Sequence, residues 1–508
     1  MRKSELHHCE STNRRFGLLY VSVVVGAFLR VFHLGAQSIW GDEALTLQRY
    51  AAGESLAQVL SGVWHSAFHP PLYFVIVHYW CLLGKSEIML RMPSAVFGIA
   101  AIPLIYLVAR RIFGPPVPGL SALVLALAPF HVWYSQEARM YSLQVLLALG
   151  SMLFFLRAWE SRRPMDFALY GILTVLALYT HIATLLLIAA QGVFVVGAAV
   201  RNWRRNLPWI GIVAVMLLAF TPWIVQFMGG RRSFTGIASI GFGREPSPLH
   251  LGYGLYTFSV GYSLGPSVSE LHFLSSGDVI RRNLAVILAS VLVFGALMIL
   301  GLRNAHRKNR MGFWLILSHL CVPLGLAAAA SLVTRVPLNP RYLMVAAIPY
   351  WIAIALGVDA CVRSRALRVI PAAGVLLIAF SLYNHYFQPA YAKQDVRCAV
   401  ALVNDKARPD DVVIISSIEL GGPFTYYFKR QDVSYVGYPP GQGFVDPNAL
   451  PRDMEQILHR KKRAWLILGR TWSSDPPGLI PAYFRARYEL VEQEHFPGVA
   501  LSCFSLLR

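Results

Sequence analysis

The run FGLLYVSVVVGAFLRVFHLGAQSIWGDEALTLQRY, residues 16–50, decides how the rest of the sequence is read. Its first half is apolar and long enough to cross a bilayer, and no small-residue cleavage site follows it, so it reads as a retained transmembrane helix and not a signal peptide. Its second half, SIWGDEALTLQRY (residues 38–50), places two adjacent carboxylates, Asp42 and Glu43, where the chain leaves that bilayer. Charge beside a membrane is costly and tends to mark pairing or function.

Outward from this stretch the same alternation repeats. Apolar residues make up 56% of the 508 and charged residues only 14%, with a mean hydropathy of +0.50, which indicates a polytopic membrane protein instead of several soluble domains. With about 20 apolar residues needed per span, eleven spans are expected, near 16–34, 91–110, 118–134, 140–158, 165–180, 183–200, 207–227, 283–302, 311–333, 342–361 and 367–387. The shorter run PPLYFVIVHYWCLLG (residues 70–84) fits a helix lying in the interface.

A formal net charge of +20 would suit nucleic acid if it gathered on one soluble face. It does not, and no nucleic acid is expected. The basic residues fall in short bursts between spans: Arg110 and Arg111; Arg157, Arg162 and Arg163; Arg201, Arg204 and Arg205; Arg303, Arg307, Lys308 and Arg310; Arg363, Arg365 and Arg368. Placing these loops in the cytoplasm satisfies the positive-inside rule throughout and puts the N-terminus inside. Residues 1–388 then form a transmembrane domain, with a first outer loop at 35–90 and a second at 229–282, and residues 389–508 form an outer domain. In that tail VRCAVALVNDKA reads as an amphipathic helix, and DDVVIISS, VSYVGYP, RAWLILGR and VALSCFSLLR read as strands, which together suggest a small α/β domain.

This topology sends every unusual polar cluster to one side of the membrane. These are Asp42 and Glu43; HPP at residues 69–71; EIMLRMPSA with Glu87 and Arg91; HVWYSQEARMYSL with Glu137 and Arg139; His181 in YTHIA; and Arg341 with Tyr342 in NPRYLMV. Each alone has a plainer explanation. Acids favour a helix first turn, Pro suits a helix start, and Arg with Tyr is an ordinary interface anchor. Six clusters bearing acid, base and imidazole on one face are harder to explain that way.

Taken in order, IWGDEALT, HPPLYF, SEIMLRMPSAVFGIAAIPLIYLVARRIFG, APFHVWYSQEARMYSL, YTHIATLL and PRYLMVAAIPY resemble the bacterial glycosyltransferases of the GT-C fold. More narrowly, they resemble the branch that also contains protein O-mannosyltransferases and lipid A aminoarabinose transferases. The resemblance implies an enzyme of the inner (cytoplasmic) membrane that moves a sugar from a polyprenyl-phosphate donor to an acceptor hydroxyl of a lipid, glycan or protein on the outer side. By the same resemblance Asp42 is the catalytic base, Glu43 its supporting acid and Glu137 a second-loop acid. His69, Arg91, Arg139, His181, Arg341 and Tyr342 would then surround the donor phosphate. The absence of any G-x-G-x-x-G or P-loop motif agrees with a donor delivered through the bilayer.

No cofactor is expected, with a divalent metal left as the open alternative: HSAFH (residues 65–69) has H-x-x-x-H spacing, but Pro70 biases His69 away from helical geometry. Cys398 and Cys503 are the only cysteines of the outer domain, where a disulfide or two buried thiols would both be consistent. The Gly-, Ser- and aromatic-rich stretch at 229–272 is expected to be a lid over the donor site, or else a passive connector. A transporter or lipid-linked sugar flippase shares this hydropathy, but it would need polar groups at mid-membrane and interrupted helix pairs.

Overall fold

In a computed structural model, residues 2–51, 53, 55–66, 69–198, 206–229, 246–441 and 443–506 are described. The chain enters through α1 (Arg2–Val31), then makes the short α2 (Gly41–Leu45) with its π-helical continuation Thr46–Ala51, α3 (Leu56–Ser66) and α4 (Leu72–Trp80). The bundle continues with α5 (Glu87–Ile112), α6 (Val117–Leu127), α7 (Pro129–Ser135), α8 (Tyr141–Ser161), α9 (Pro164–Leu178), α10 (Thr184–Ala198) and α11 (Leu207–Gly229). It closes with α12 (Pro248–Val260), the short α13 (Val268–Phe273), α14 (Ser276–Lys308), α15 (Arg310–Thr334), α16 (Met344–Val362) and α17 (Val369–Phe387).

Local chemistry sets these boundaries. The Ser86 hydroxyl caps α5, with Glu87 in its first turn and Arg110 and Arg111 in its last, each charge matched to the helix dipole. Between α6 and α7 the axis bends by 57°, because Pro129 supplies no N–H and holds Ala128 out of helical geometry (ψ 109°). Arg30 satisfies the carbonyls freed there, donating to Leu125 O and Ala126 O (3.0 Å each). Close approach of α14 and α16 depends on Gly301 and Gly357: a Cβ on either would stand 2.0 Å from Ala353 O or 2.1 Å from Leu297 O.

Among the described residues seven helices are long and apolar enough to cross a membrane, or eight if the bent α6–α7 pair is one span. Eight of the eleven expected spans correspond to these helices, the bent pair taken as one. The other three expected spans fall on shorter apolar stretches: Gly17–Val31 within α1, and the helices Pro164–Leu178 and Thr184–Ala198.

The expected lid divides in two. Residues 230–245 lie outside the described residues. Beyond them the chain is hydrogen-bonded to the bundle and to itself: Trp351 Nε1 donates to Phe258 O (3.1 Å), Asn384 Nδ2 to Ser263 O (2.9 Å), and Tyr256 Oη to Leu264 O (2.8 Å).

The C-terminal part is a five-stranded sheet ordered β2-β1-β3-β5-β4. Its strands are β1 (Asp411–Ile415), β2 (Ser434–Gly437), β3 (Arg463–Gly469), β4 (Glu489–Phe496) and β5 (Val499–Ser505). β1 pairs parallel with β2 and β3, and β5 pairs antiparallel with β3 and β4. The helices α18 (Val396–Lys406), α19 (Ile418–Tyr427), α20 (Leu450–Leu458) and α21 (Leu479–Arg487) accompany it, and apolar cores form on both faces. β4 escapes sequence reading because ELVEQEHF is a largely exposed edge strand with no apolar face. Cys398 is exposed on α18 and Cys503 is buried in β5; both are free, so no disulfide joins them.

This domain rests on the end of the bundle that carries α2. Tyr427 Oη accepts from Ile39 N (2.8 Å), Gln48 Nε2 donates to Gly422 O (2.9 Å), and Arg397 reaches Gly35 O (3.2 Å) and Glu87 Oε1 (3.3 Å). Only glycine fits at position 41, where a Cβ would lie 2.9 Å from Glu419 O.

Candidate active site

Two adjoining charge clusters grow from neighbouring residues of α2. The first centres on Asp42, whose Oδ2 receives Arg341 Nη1 at 2.8 Å. Arg139, from the loop between α7 and α8, lies under the same helix, donating through Nη1 to Thr46 Oγ1 (3.3 Å) and Asp42 O (3.5 Å) and through Nη2 to His69 Nε2 (2.9 Å). His69 is thereby held as a neutral imidazole; burial first and Arg139 second keep its pKa well below the usual value. His181 follows 6.3 Å from His69, ring to ring, and Tyr342 lies 5.8 Å beyond His181 with Arg341 over its face at 5.2 Å. Asp42 stays 28% exposed at this mouth. Burial works to raise its pKa, but Arg139 and Arg341 outweigh that and hold it far below the carboxylate range.

The second cluster is sealed. Glu43 is wholly buried and takes a bidentate pair from Arg91, Nε to Oε1 and Nη2 to Oε2, both 2.7 Å, with Ala138 N donating to Oε1 (3.0 Å). The remaining Arg91 donors close on Leu34 O and Gln37 O (2.9 Å each) and Ser38 O (3.0 Å). Arg91 thus ties the end of α1 to α2 and has no donor left for a phosphate, a departure from its expected place at the donor. Burial pushes Glu43 upward, yet Arg91 and Lys393 bring it down to about 2.

Glu137 is 1% exposed and accepts from Trp133 Nε1 (3.2 Å), with Lys393 Nζ 3.9 Å away. Burial raises its pKa to about 7 against the pull of Lys393, and the charges on Glu43 and Asp42 add to the rise. Its loop is anchored by Gln136, which donates to Leu29 O (3.1 Å) and Phe32 O (2.7 Å) at the end of α1 and accepts from His385 Nε2 (2.9 Å).

The structure therefore gathers Asp42, His69, Arg139, His181, Arg341 and Tyr342 in one network and Glu43, Arg91 and Glu137 in a second behind it. Sequence reading missed Lys393, which sits in no motif, and Arg470, which follows β3, pairs with Glu419 (3.7 Å) and adds to the positive field on Asp42. Among the described residues no three His, Cys, Asp or Glu side chains converge as a metal site. Chemically the mouth offers one accessible carboxylate beside the Arg341 guanidinium, with the buried Arg139 beneath them adding positive charge, a setting for an anionic ligand.

Residues 68–225, under a third of the chain, match the family described as dolichyl-phosphate-mannose-protein mannosyltransferase. A Bacillus subtilis protein described as "Putative mannosyltransferase YycA" is 26% identical over 151 residues, 28% of this chain and 21% of that protein's length. Fold similarity reaches much further. ArnT from Cupriavidus metallidurans, solved bound to undecaprenyl phosphate, aligns over 96% of this chain and 98% of its own at a TM-score of 0.55 and 14% identity. This chain has the GT-C glycosyltransferase fold. The GT-C likeness extends to the oligosaccharyltransferase AglB from Archaeoglobus fulgidus, solved with an inhibitory peptide and a dolichol-phosphate, over 90% of this chain and 69% of that one (TM-score 0.51, 14% identity). These GT-C relatives are transferases, and nothing in the comparisons supports the transporter alternative.

Proposed function

We propose that this protein is a membrane glycosyltransferase that moves a sugar from a polyprenyl-phosphate donor to an acceptor hydroxyl, with Asp42 as the base. The carrying observation is that Asp42 alone of the three clustered carboxylates reaches the mouth, and it does so between Arg341 and Arg139. The acceptor oxygen attacks the anomeric carbon as the bond from that carbon to the phosphate oxygen breaks. The hydroxyl proton passes to Asp42, and the polyprenyl phosphate leaves with its bridging oxygen and the electron pair.

Arg341 and Arg139 face the charge that builds on the leaving phosphate. Before donor binds, Arg341 is the partner of Asp42 and keeps it a weak base. An arriving phosphate competes for that guanidinium and restores the basicity of Asp42 when it is needed. Neutral His69 and His181 border the same space without adding a charge that would compete for the phosphate.

The basic bursts at the opposite loop ends favour a site on the outer side of the cytoplasmic membrane, with lipid, glycan or protein as acceptor. Asp42→Asn retains shape and hydrogen bonding but not basicity. Membranes carrying it should bind polyprenyl-phosphate sugar while transfer falls by about 10²–10⁴-fold. Transfer near the wild-type rate would rule out Asp42 as the base.

A further inference from the structure

The segment between α17 and α18 turns one cation inward. Lys393 is 8% exposed, and its Nζ lies 3.5 Å from Glu43 Oε2 and 3.9 Å from Glu137 Oε2. It is flanked by the indoles of Trp40 (5.6 Å) and Trp133 (5.9 Å). Lys393 Nζ makes no contact shorter than the 3.5 Å one to Glu43 among these acids, and Glu137 Oε1 has no hydrogen-bond partner. The backbone beside it is pinned, Lys393 N donating to Gln37 Oε1 (3.3 Å) and Gln37 Nε2 to His385 O (3.4 Å).

A buried ammonium held only by long contacts is a poor source of stability, and an apolar side chain of the same length would fill the space at less cost. Its position explains it better. Glu43, the nearer of the two acids, is already paired with Arg91, whereas among the described residues Glu137 has no ion pair other than the one with Lys393. We propose that Lys393 is a positioning residue: its ammonium, supplied by the tether to the sheet domain, favours the ionised form of Glu137 beside Glu43 and so steadies the loop that carries Arg139 beneath the mouth. This rests on the reading of that mouth as the glycosyl-transfer site.

The groups facing Glu137 are few. Asp42 and Glu43 of α2 repel its charge, while Arg139 of its own loop and Lys393 of the tether attract it. Tyr73 of α4, Tyr134 of α7 and Tyr262 beyond α12 also face it. Removing Lys393 leaves the repulsion almost unopposed, so Glu137 keeps its proton to higher pH.

The test is the pH profile of transfer in membranes for Lys393→Met, Lys393→Arg, Glu137→Gln, the Glu137→Gln/Lys393→Met pair and Asp42→Asn. The acid limb should move up by about 1–3 pH units in Lys393→Met and stay near its wild-type position in Lys393→Arg. The double variant should show the profile of Glu137→Gln alone. A Lys393→Met rate reduced equally at every pH, or a limb that does not move, overturns the proposal. If Lys393→Met does not fold, the double variant decides: folding restored by Glu137→Gln supports a counter-ion, and folding not restored overturns it. An active Asp42→Asn with the limb shift present would defeat the base assignment alone; an inactive Asp42→Asn with an unmoved limb would defeat this inference alone.

Discussion

Replacing Arg91 by Met removes both 2.7 Å bonds to Glu43 and the donors to three carbonyls, those of Leu34, Gln37 and Ser38. Glu43 then has only Ala138 N–H and Lys393. It can escape burial as an ion by taking a proton. From an ordinary value of 4.5 that costs about 3.4 kcal/mol at pH 7, at about 1.4 kcal/mol per unit. This lies within the ~3–5 kcal/mol typical of breaking a buried pair. The stranded carbonyls add to it, so Arg91→Met should lose at least about 4 kcal/mol. The sign with pH follows. In the wild type Glu43 is depressed to about 2, so its stabilisation is present above 4.5 and lost as pH falls toward 2. In Arg91→Met a protonated Glu43 costs only about 0.7 kcal/mol at pH 5, so the deficit should shrink by about 2.7 kcal/mol between pH 7 and pH 5. Unfolding in mixed detergent–SDS micelles, followed by tryptophan fluorescence at both pH values, measures this directly. Arg341→Met is the control: its pair with Asp42 is 23% and 28% exposed and should contribute at most about 1 kcal/mol, although transfer should be abolished. An Arg91→Met protein within about 1 kcal/mol of wild type at pH 7 would refute the reasoning.

Gly357→Ala should lower stability by about 1–3 kcal/mol in the same assay, because its Cβ meets the backbone of α14. Gly295→Ala, on α14 with nothing within 4 Å, should be neutral or slightly stabilising, and equal losses at both would contradict the close-crossing argument. Alkaline phosphatase fused after residue 390 should be active and a fusion near residue 306 inactive; the reverse pattern would invert the proposed sidedness.

Hydropathy is local, which is why the apolar segments, the short apolar helix within residues 70–84 and the α/β nature of the tail were all legible in the sequence. The acids and bases at segment ends were legible for the same reason, since a charge beside an apolar run stands out without knowledge of its partner. What each charge faces is not local. Asp42 and Arg341 are 299 residues apart and Glu43 and Arg91 are 48 apart. Nothing in EIMLRMPSA tells that Arg91 is consumed by Glu43 and three carbonyls, while the equally plain arginine of NPRYLMV faces the mouth. Only packing separates Asp42, left accessible, from its neighbour Glu43, one residue on and fully enclosed. Lys393 carried no signal because it lies in an unremarkable polar stretch and gains its meaning from two carboxylates and two indoles brought from other elements. Sequence determined which segments would be apolar and where charge would gather; tertiary structure alone decided which charges cancel and which stay available, because electrostatic pairing depends on distance and burial that no residue sets for itself.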